Sequence, residues 1–325
     1  MCFRNEPVSS GILCAILTAA CLCGQNTTLR TTVPLVVVPA SVTDKQGHPI
    51  YGLTASDFVL TDDGNVRGFH LDVVDEGLAP IALVVLIQTT ERCAAALKKI
   101  KKVGAAIPEA VVGANGEAAV VSFDDRVTVL QNFTSNADAI TDVFSDLRAS
   151  DSGSGRMIDA VGKALDMLHS RPGPRRPAIL IIGESKDRGS KTKLSSLLER
   201  MQRSGVIIYA LTYSSYLTPW TTKASDYSPG APDFIAGIGD LLRLSKRNTV
   251  RALTSETGGR RMGFETKSKL TNDLIALGAD IHSRYFLSFT PPPGTAPGFH
   301  RLQVSVKNRP DAVVKAREGY WSGVR

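Results

Sequence analysis

Two hydrophobic rhythms run along this chain, and they divide it into three parts. Residues 33–75 read as β structure. The run VPLVVVPASVTD is β-branched but broken by Pro34 and Pro39, which predicts a strand with an exposed edge or a bulge. QGHPIYGL is a turn and a short link, and DFVLTDDGNVRGFHLDVV alternates apolar residues on both sides of DDGN, a hairpin signal. From Pro80 the rhythm changes. PIALVVLIQ, GEAAVVSF, PAILIIG and GVIIYALTY are apolar without polar alternation, as buried strands are, whereas RVTVLQNFT alternates like an antiparallel edge strand. Between them RCAAALKKIKKVGAAIPEAV and residues 136–148, 156–169 and 191–203 carry helical patterns. A long irregular stretch follows at 213–232. Helical pattern returns at 233–246 and 249–257, then TGGRRMGF suggests a helix stop and a very short strand, and 267–281 reads as the last helix. The end is β again: SRYFLSFT, FHRLQVSVK and AVVKAREGYW.

Apolar strands separated by helices imply a doubly wound, mostly parallel sheet covered on both faces. The expected organisation is an N-terminal β segment at 25–78, an α/β domain at 79–283 and a C-terminal β segment at 284–325. A β fragment of about 45 residues with open edges is not stable alone. The simplest arrangement pairs the two terminal segments into one small β-sandwich, with the α/β domain inserted in it.

Residues 1–24 stand apart. One Arg precedes GILCAILTAACLCG, which is short for a bilayer span but suits a signal-peptide core, with Gly24 before a cleavage point at Gln25. Thr18-Ala19-Ala20-Cys21 offers a second reading as a lipobox, with Thr in place of the usual Leu. Either way an exported protein is expected, in periplasm, envelope or medium, with membrane contact only through this segment. Four of the five cysteines lie here, which leaves Cys93 alone in the body and excludes both a disulfide framework and a cysteine zinc site there. The charge of +7 is scattered through KKIKK, RPGPRR and SKDRGSK without interleaved aromatics or a recognised motif, so it reads as solvated faces and not as a nucleic-acid surface.

Ligands of such sheets bind at the carboxyl ends of the strands, where strand order reverses. The loops after IALVVLI, AILII and VIIYAL should meet there. The order of elements from Pro80 to about Asp280 resembles a von Willebrand factor type A domain. VVVPASVTDKQGHPIYGLTASDFVLTDDG, RYFLSFTPPP, FHRLQVSVK, VKAREGYW, the TGGR at 257–260 and the DRGSK at 187–191 are similar to the related family found mainly in acidobacterial proteins. The resemblance implies a rim that in many type A domains holds a divalent ion through an Asp, two Ser, a Thr and a second Asp. Carried over, the first Asp falls on Gln88, the first Ser on Thr90 and the second on Arg92. The Thr falls on or near Gly155, and the last Asp on Glu184, or one residue away on Gly183. A hard cation needs an oxygen shell, and few of these positions keep one. The expectation is therefore a degenerate site with no metal and no cofactor. In it Arg92 replaces the cation, either by pairing with Glu184 across the rim or by receiving an acidic group from a protein partner.

Tyr213, Tyr216, Trp220 and Tyr227 in the irregular loop add a second candidate contact surface, or else pack down on the body. DSGSG at 151–155 has serines at the wrong offsets for an adhesion motif and reads as a flexible turn with Asp151, Ser152 or Ser154 as a helix cap. Asp62, Asp63 and Asn65 lack the spacing of a calcium loop and read as a turn. GESKD at 183–187 resembles a hydrolase elbow around Ser185, but Asp187 replaces the required Gly and only His282 and His300 follow in triad order. The sequence thus reads as a non-catalytic interaction module. The alternatives are an envelope assembly subunit acting through its β flanks and, behind it, a Ser185 hydrolase.

Overall fold

The computed structural model describes residues 35–72, 80–171, 173, 175–213, 246 and 248–323. The expected signal segment at 1–24 with Cys21, the aromatics Tyr216, Trp220 and Tyr227, and all but the last residue of the helix expected at 233–246 lie outside them.

The central sheet has the order β10-β9-β8-β5-β6-β7. Its strands are β5 (Ile81–Gln88), β6 (Glu117–Phe123), β7 (Val127–Thr134), β8 (Arg176–Gly183), β9 (Ile207–Thr212) and β10 (Arg261–Gly263). All pairings are parallel except β6 with β7, so the alternating RVTVLQNFT is indeed the antiparallel edge. Every residue of β5 is buried, because it has a neighbour on each side and helices on each face. Leu83, Val85 and Ile87 face α1 (Ala94–Ile100), α2 (Ala137–Asp146) and α6 (Lys267–His282). Val84 and Leu86 face α3 (Met157–His169), α4 (Leu194–Ser204) and α5 (Thr249–Thr257). The period of two along the strand thus feeds two separate cores.

The single helix expected over 92–111 is broken. After α1 the chain forms a 3₁₀ turn at Lys101–Val103 and a π turn at Pro108–Val112. Gly104 packs where any Cβ would overlap Phe144 of α2, and Pro108 lacks the N–H that a continuous helix would need.

Strands from both ends of the chain interleave. One antiparallel sheet has the order β13-β1-β11-β4, made of Val313–Ala316, Val36–Thr43, Tyr285–Phe289 and His70–Asp72. The other has the order β14-β12-β2-β3, made of Gly319–Ser322, Gly298–Val306, Phe58–Asp62 and Asn65–Arg67. Val38, Leu60, Tyr285, Leu287 and Leu302 share one core between them, so the sandwich and the inserted α/β layer are both present. Strand β1 is paired on both sides, with no bulge. Pro39 fits because β13 covers only Ala40–Thr43, so the missing N–H lies beyond the end of that ladder. The β2–β3 turn puts both Asp63 and Gly64 at positive φ, 49° and 80°, as a two-residue hairpin turn requires. AVVKAREGYW, which reads as one strand, is two strands in different sheets with Arg317 at the corner; its guanidinium donates to the carbonyls of Gly319 and Val37.

Candidate functional site at the strand switch point

The strand order reverses between β5 and β8, so their carboxyl ends flank the crevice where such sheets bind ligands. Three loops meet there and are joined by backbone hydrogen bonds. Ser150 N–H donates to the Thr89 carbonyl at 2.7 Å, and Glu91 N–H to that of Ser152 at 3.2 Å. Gly155 and Arg188 exchange a reciprocal pair at 2.8 and 2.9 Å, a single β-bridge between the second and third loops. The stretch DSGSG is therefore built into the rim. Its expected capping role is filled from elsewhere: Asp187 Oδ1 accepts the Ile158 N–H at 3.0 Å, and Ser190 Oγ accepts that of Asp159 at 3.1 Å. Asp159 returns the favour to the N–H groups of Lys191 and Thr192, and those bonds outweigh burial to hold its carboxyl below the usual range.

Gln88 occupies the centre. It is 1% exposed, and its carboxamide is used on both ends. Oε1 accepts the backbone N–H of Glu184 at 2.8 Å. Nε2 donates to Glu184 Oε2 at 3.2 Å and to Thr90 Oγ1 at 3.3 Å. The opposite amide orientation would set N–H against N–H and oxygen against carboxylate, so the partners fix it. Space for the amide comes from two glycines. A Cβ at Gly155 would stand 2.7 Å from Nε2, and one at Gly183 would stand 2.7 Å from Oε1. Gly155 and Gly183 are the two positions that the resemblance assigns to, or next to, other ligands. Their lack of side chains is what admits the glutamine.

The neighbours complete the plug. Thr90 is 1% exposed and its hydroxyl lies 3.0 Å from Cys93 Sγ. Burial pushes the Cys93 thiol up, against the opposing pull of the Thr90 hydroxyl, which fits a structural and unreactive cysteine. Tyr213 is 8% exposed, packs edge-on against Phe264 at 5.6 Å and is part of the core, so its ring does not face solvent. Arg92 is exposed on the short 3₁₀ turn Glu91–Cys93. Arg188, which the sequence pattern does not single out, places Nε 3.7 Å from Glu184 Oε2.

A divalent ion takes about six oxygen ligands. Here the space between Thr90 and Glu184 holds the N–H₂ of Gln88, Oε1 is already accepting a backbone N–H, and two positions are glycine. This donor set does not match an oxygen shell. A second cluster, Asp62, Asp63 and His300, brings its ligand atoms within 4.8 Å of one another. Both ring nitrogens of His300 are committed there, Nδ1 to Asp63 and Nε2 to the Ala296 carbonyl, each at 2.8 Å. Nε2 also lies 2.9 Å from Ser322 Oγ, so the cluster is held together by hydrogen bonds of its own.

Among the described residues, the two histidines in triad order are bonded elsewhere than to Ser185. Its carbonyl accepts the Val250 N–H, while His282 bonds the Val111 carbonyl and His300 bonds Asp63. His169 closes α3, which starts at the rim and runs away from it.

No family model matches the chain, and no curated protein matches it. Solved structures that it resembles include a von Willebrand factor type A protein from Catenulispora acidiphila, at 10% identity and a TM-score of 0.49 over 88% of this chain and 73% of that one. An aerotolerance-related membrane protein from Bacteroides fragilis follows at 12% and 0.45, covering 62% and 98%. The vWF domain of the type V pili tip protein Mfa5 from Porphyromonas gingivalis follows at 9% and 0.43, covering 62% and 94%. No helix among the described residues is long and apolar enough to cross a membrane.

Proposed function

We propose that this chain is an exported, non-catalytic protein-interaction module whose rim site works without a metal ion. The observation that carries this reading is the Gln88 carboxamide, which bridges the two strands at the switch point as a metal-held site would bridge them. A neutral amide tied to Glu184 and Thr90 fixes the loops with no need for a cation. Arg92 and Lys186 are exposed around it and Arg188 is 36% exposed, so three cations lie on the outward face of the site beside the exposed acids Glu91, Asp125 and Asp151. A guanidinium there suits a carboxylate on the partner, bidentately. Tyr216, Trp220 and Tyr227 belong to the same proposed surface on sequence grounds, because their loop follows β9, whose end lies on this rim. The export assignment rests on residues 1–24.

Two measurements test the reading. Calorimetry with Mg²⁺ and Mn²⁺ should give no heat of binding, and tight binding of either ion would sink metal independence. Arg92→Ala and Trp220→Ala, used as bait with native envelope extract, should each lose a partner that the wild type retains. If both variants keep it, the β flanks carry the interaction and the chain is an assembly subunit.

A further inference from the structure

At the opposite end of the sheet from the rim, a half-open cleft of about 430 Å³ runs between the turn after β1 and the outer face of α6. Asn272, Ile275, Ala276 and Ala279 line it from the helix at spacings of three and four, and Pro49 lines it from the turn. This stripe is unusual for a helix whose other face is already in the core: Leu270, Leu274, Leu277 and Ile281 are buried beneath, yet Ile275 is 57% exposed. Arg260 closes one end of the cleft. Among the described residues its side-chain polar contact is a long one, 3.4 Å to Asp280 Oδ1, and Asp280 is taken up by Arg284 and Ser41. The Arg260 fork thus opens toward the cleft with most of its donors uncommitted. Lys315, the cross-strand partner of Ser41, adds a further cation: its ammonium is held below the usual lysine range by burial and by the charge of Arg260. Arg260, Arg284 and Lys315 gather around Asp280, and Arg260 also acts on Asp273, which pairs with Lys269 at 3.1 Å, so four cations face two carboxylates.

We propose that this cleft binds an extended peptide segment, seating an acidic side chain on Arg260 and the flanking apolar side chains on Ile275, Ala276 and Ala279. The charge excess selects an anion, and a planar guanidinium with free donors suits a carboxylate. The shape selects a peptide over a small molecule, because a half-open groove cannot enclose most of a small ligand's surface. The stripe from Asn272 to Asp280 is about 12 Å long at the helical rise, room for three or four extended residues. The site lies away from Gln88 and Arg92 and stands whether or not the rim reading holds.

The test uses acetyl-Ala-Leu-Glu-Leu-amide as probe, with the Gln peptide as its uncharged control, followed by amide chemical shifts of the full chain. The Glu peptide should shift amides in α6 and in the 44–49 turn. The Gln peptide should bind about tenfold more weakly, as expected for loss of a charge-assisted pair. Arg260→Gln should abolish the difference between the two peptides. Ile275→Asp, at a position 57% exposed, should weaken both. Equal binding of the two peptides, shifts located at the rim, or binding unaffected by Ile275→Asp would each overturn the proposal.

Discussion

Gln88 and Glu184 hold each other twice across the switch point of the sheet: Oε1 accepts the Glu184 N–H at 2.8 Å, and Nε2 donates to its carboxylate at 3.2 Å. An amide is suited to this double duty, since it accepts at one end and donates at the other. An aspartate or glutamate there could not do both, and would place a second negative charge against a carboxylate that is 6% exposed.

Gln88→Glu keeps the shape and inverts that chemistry. The new carboxylate loses both donations and faces Glu184 in a buried site, so one of the two must take up a proton. Its folded-state pKa then lies above the unfolded value. The variant should approach wild-type stability in acid and lose it as pH rises through the raised pKa. Urea titrations across pH read this, and a pH-independent difference from wild type would contradict it.

Gly155→Ala and Gly183→Ala should each cost about 1–3 kcal/mol, because the added methyl meets the Gln88 amide in a packed site. Combining Gly155→Ala with Gln88→Ala removes the clash there, whereas at Gly183 the Cβ of residue 88 remains 3.0 Å away and relief is only partial. The double-mutant cycle should therefore show a favourable coupling of about 1 kcal/mol or more. Strict additivity would show that the glycines serve some other need.

Asp280 joins the sandwich to the inserted layer. Its Oδ2 receives Nε and Nη2 of the fully buried Arg284 at 3.0 and 2.6 Å, and its Oδ1 accepts the Ser41 hydroxyl at 2.7 Å. Burial pushes the carboxyl up, but Arg284, Ser41 and Arg260 together win and hold it low. Stability from this group is present above the ordinary carboxylate pKa and is lost as pH falls through the depressed one. Asp280→Asn should cost about 3–5 kcal/mol by stranding the Arg284 charge, measured by urea unfolding. A loss below about 1 kcal/mol would mean the pair does not lock the layers.

Glu256 shows the opposite behaviour. It is 4% exposed, Oε2 has no hydrogen-bond partner among the described residues, and burial raises its pKa to about 7 against the weaker pull of Arg317. A raised folded-state value gives stability below the unfolded pKa that disappears as pH climbs through about 7. Glu256→Gln should flatten the stability profile between pH 5 and pH 8 and be more stable than wild type at the alkaline end, on the order of 1 kcal/mol. An unchanged slope would place the ionised form in a satisfied pair.

The apolar runs of β5, β6, β8 and β9 were legible from the residues because strands covered on both faces have no polar alternation to confuse the reading. The hairpin at Asp63-Gly64 was legible because its turn needs positive φ twice. Gly104 and Pro108 were visible, but the broken helix was not, since the reason lies in Phe144 of another element. The rim was partly legible: Gln88, Thr90 and Glu184 do converge, as carried over from the type A resemblance. Arg188 beside Glu184, and Asp187 and Ser190 as the caps of α3, were not. The caps join residues some thirty positions apart, and Arg188 reaches Glu184 from four residues along an irregular loop, in both cases through side chains with no periodic signature.

By itself the sequence determined the alternation of strands and helices, the α/β run between two β segments, and the placement of Gln88 at the end of an apolar strand. These depend on local periodicity and residue type, which the chain carries wherever it folds. Only the tertiary structure decided what Gln88 does. Its role comes from the room left by Gly155 and Gly183 and from the Glu184 N–H that meets its oxygen, and those distances exist only once β5 and β8 lie side by side.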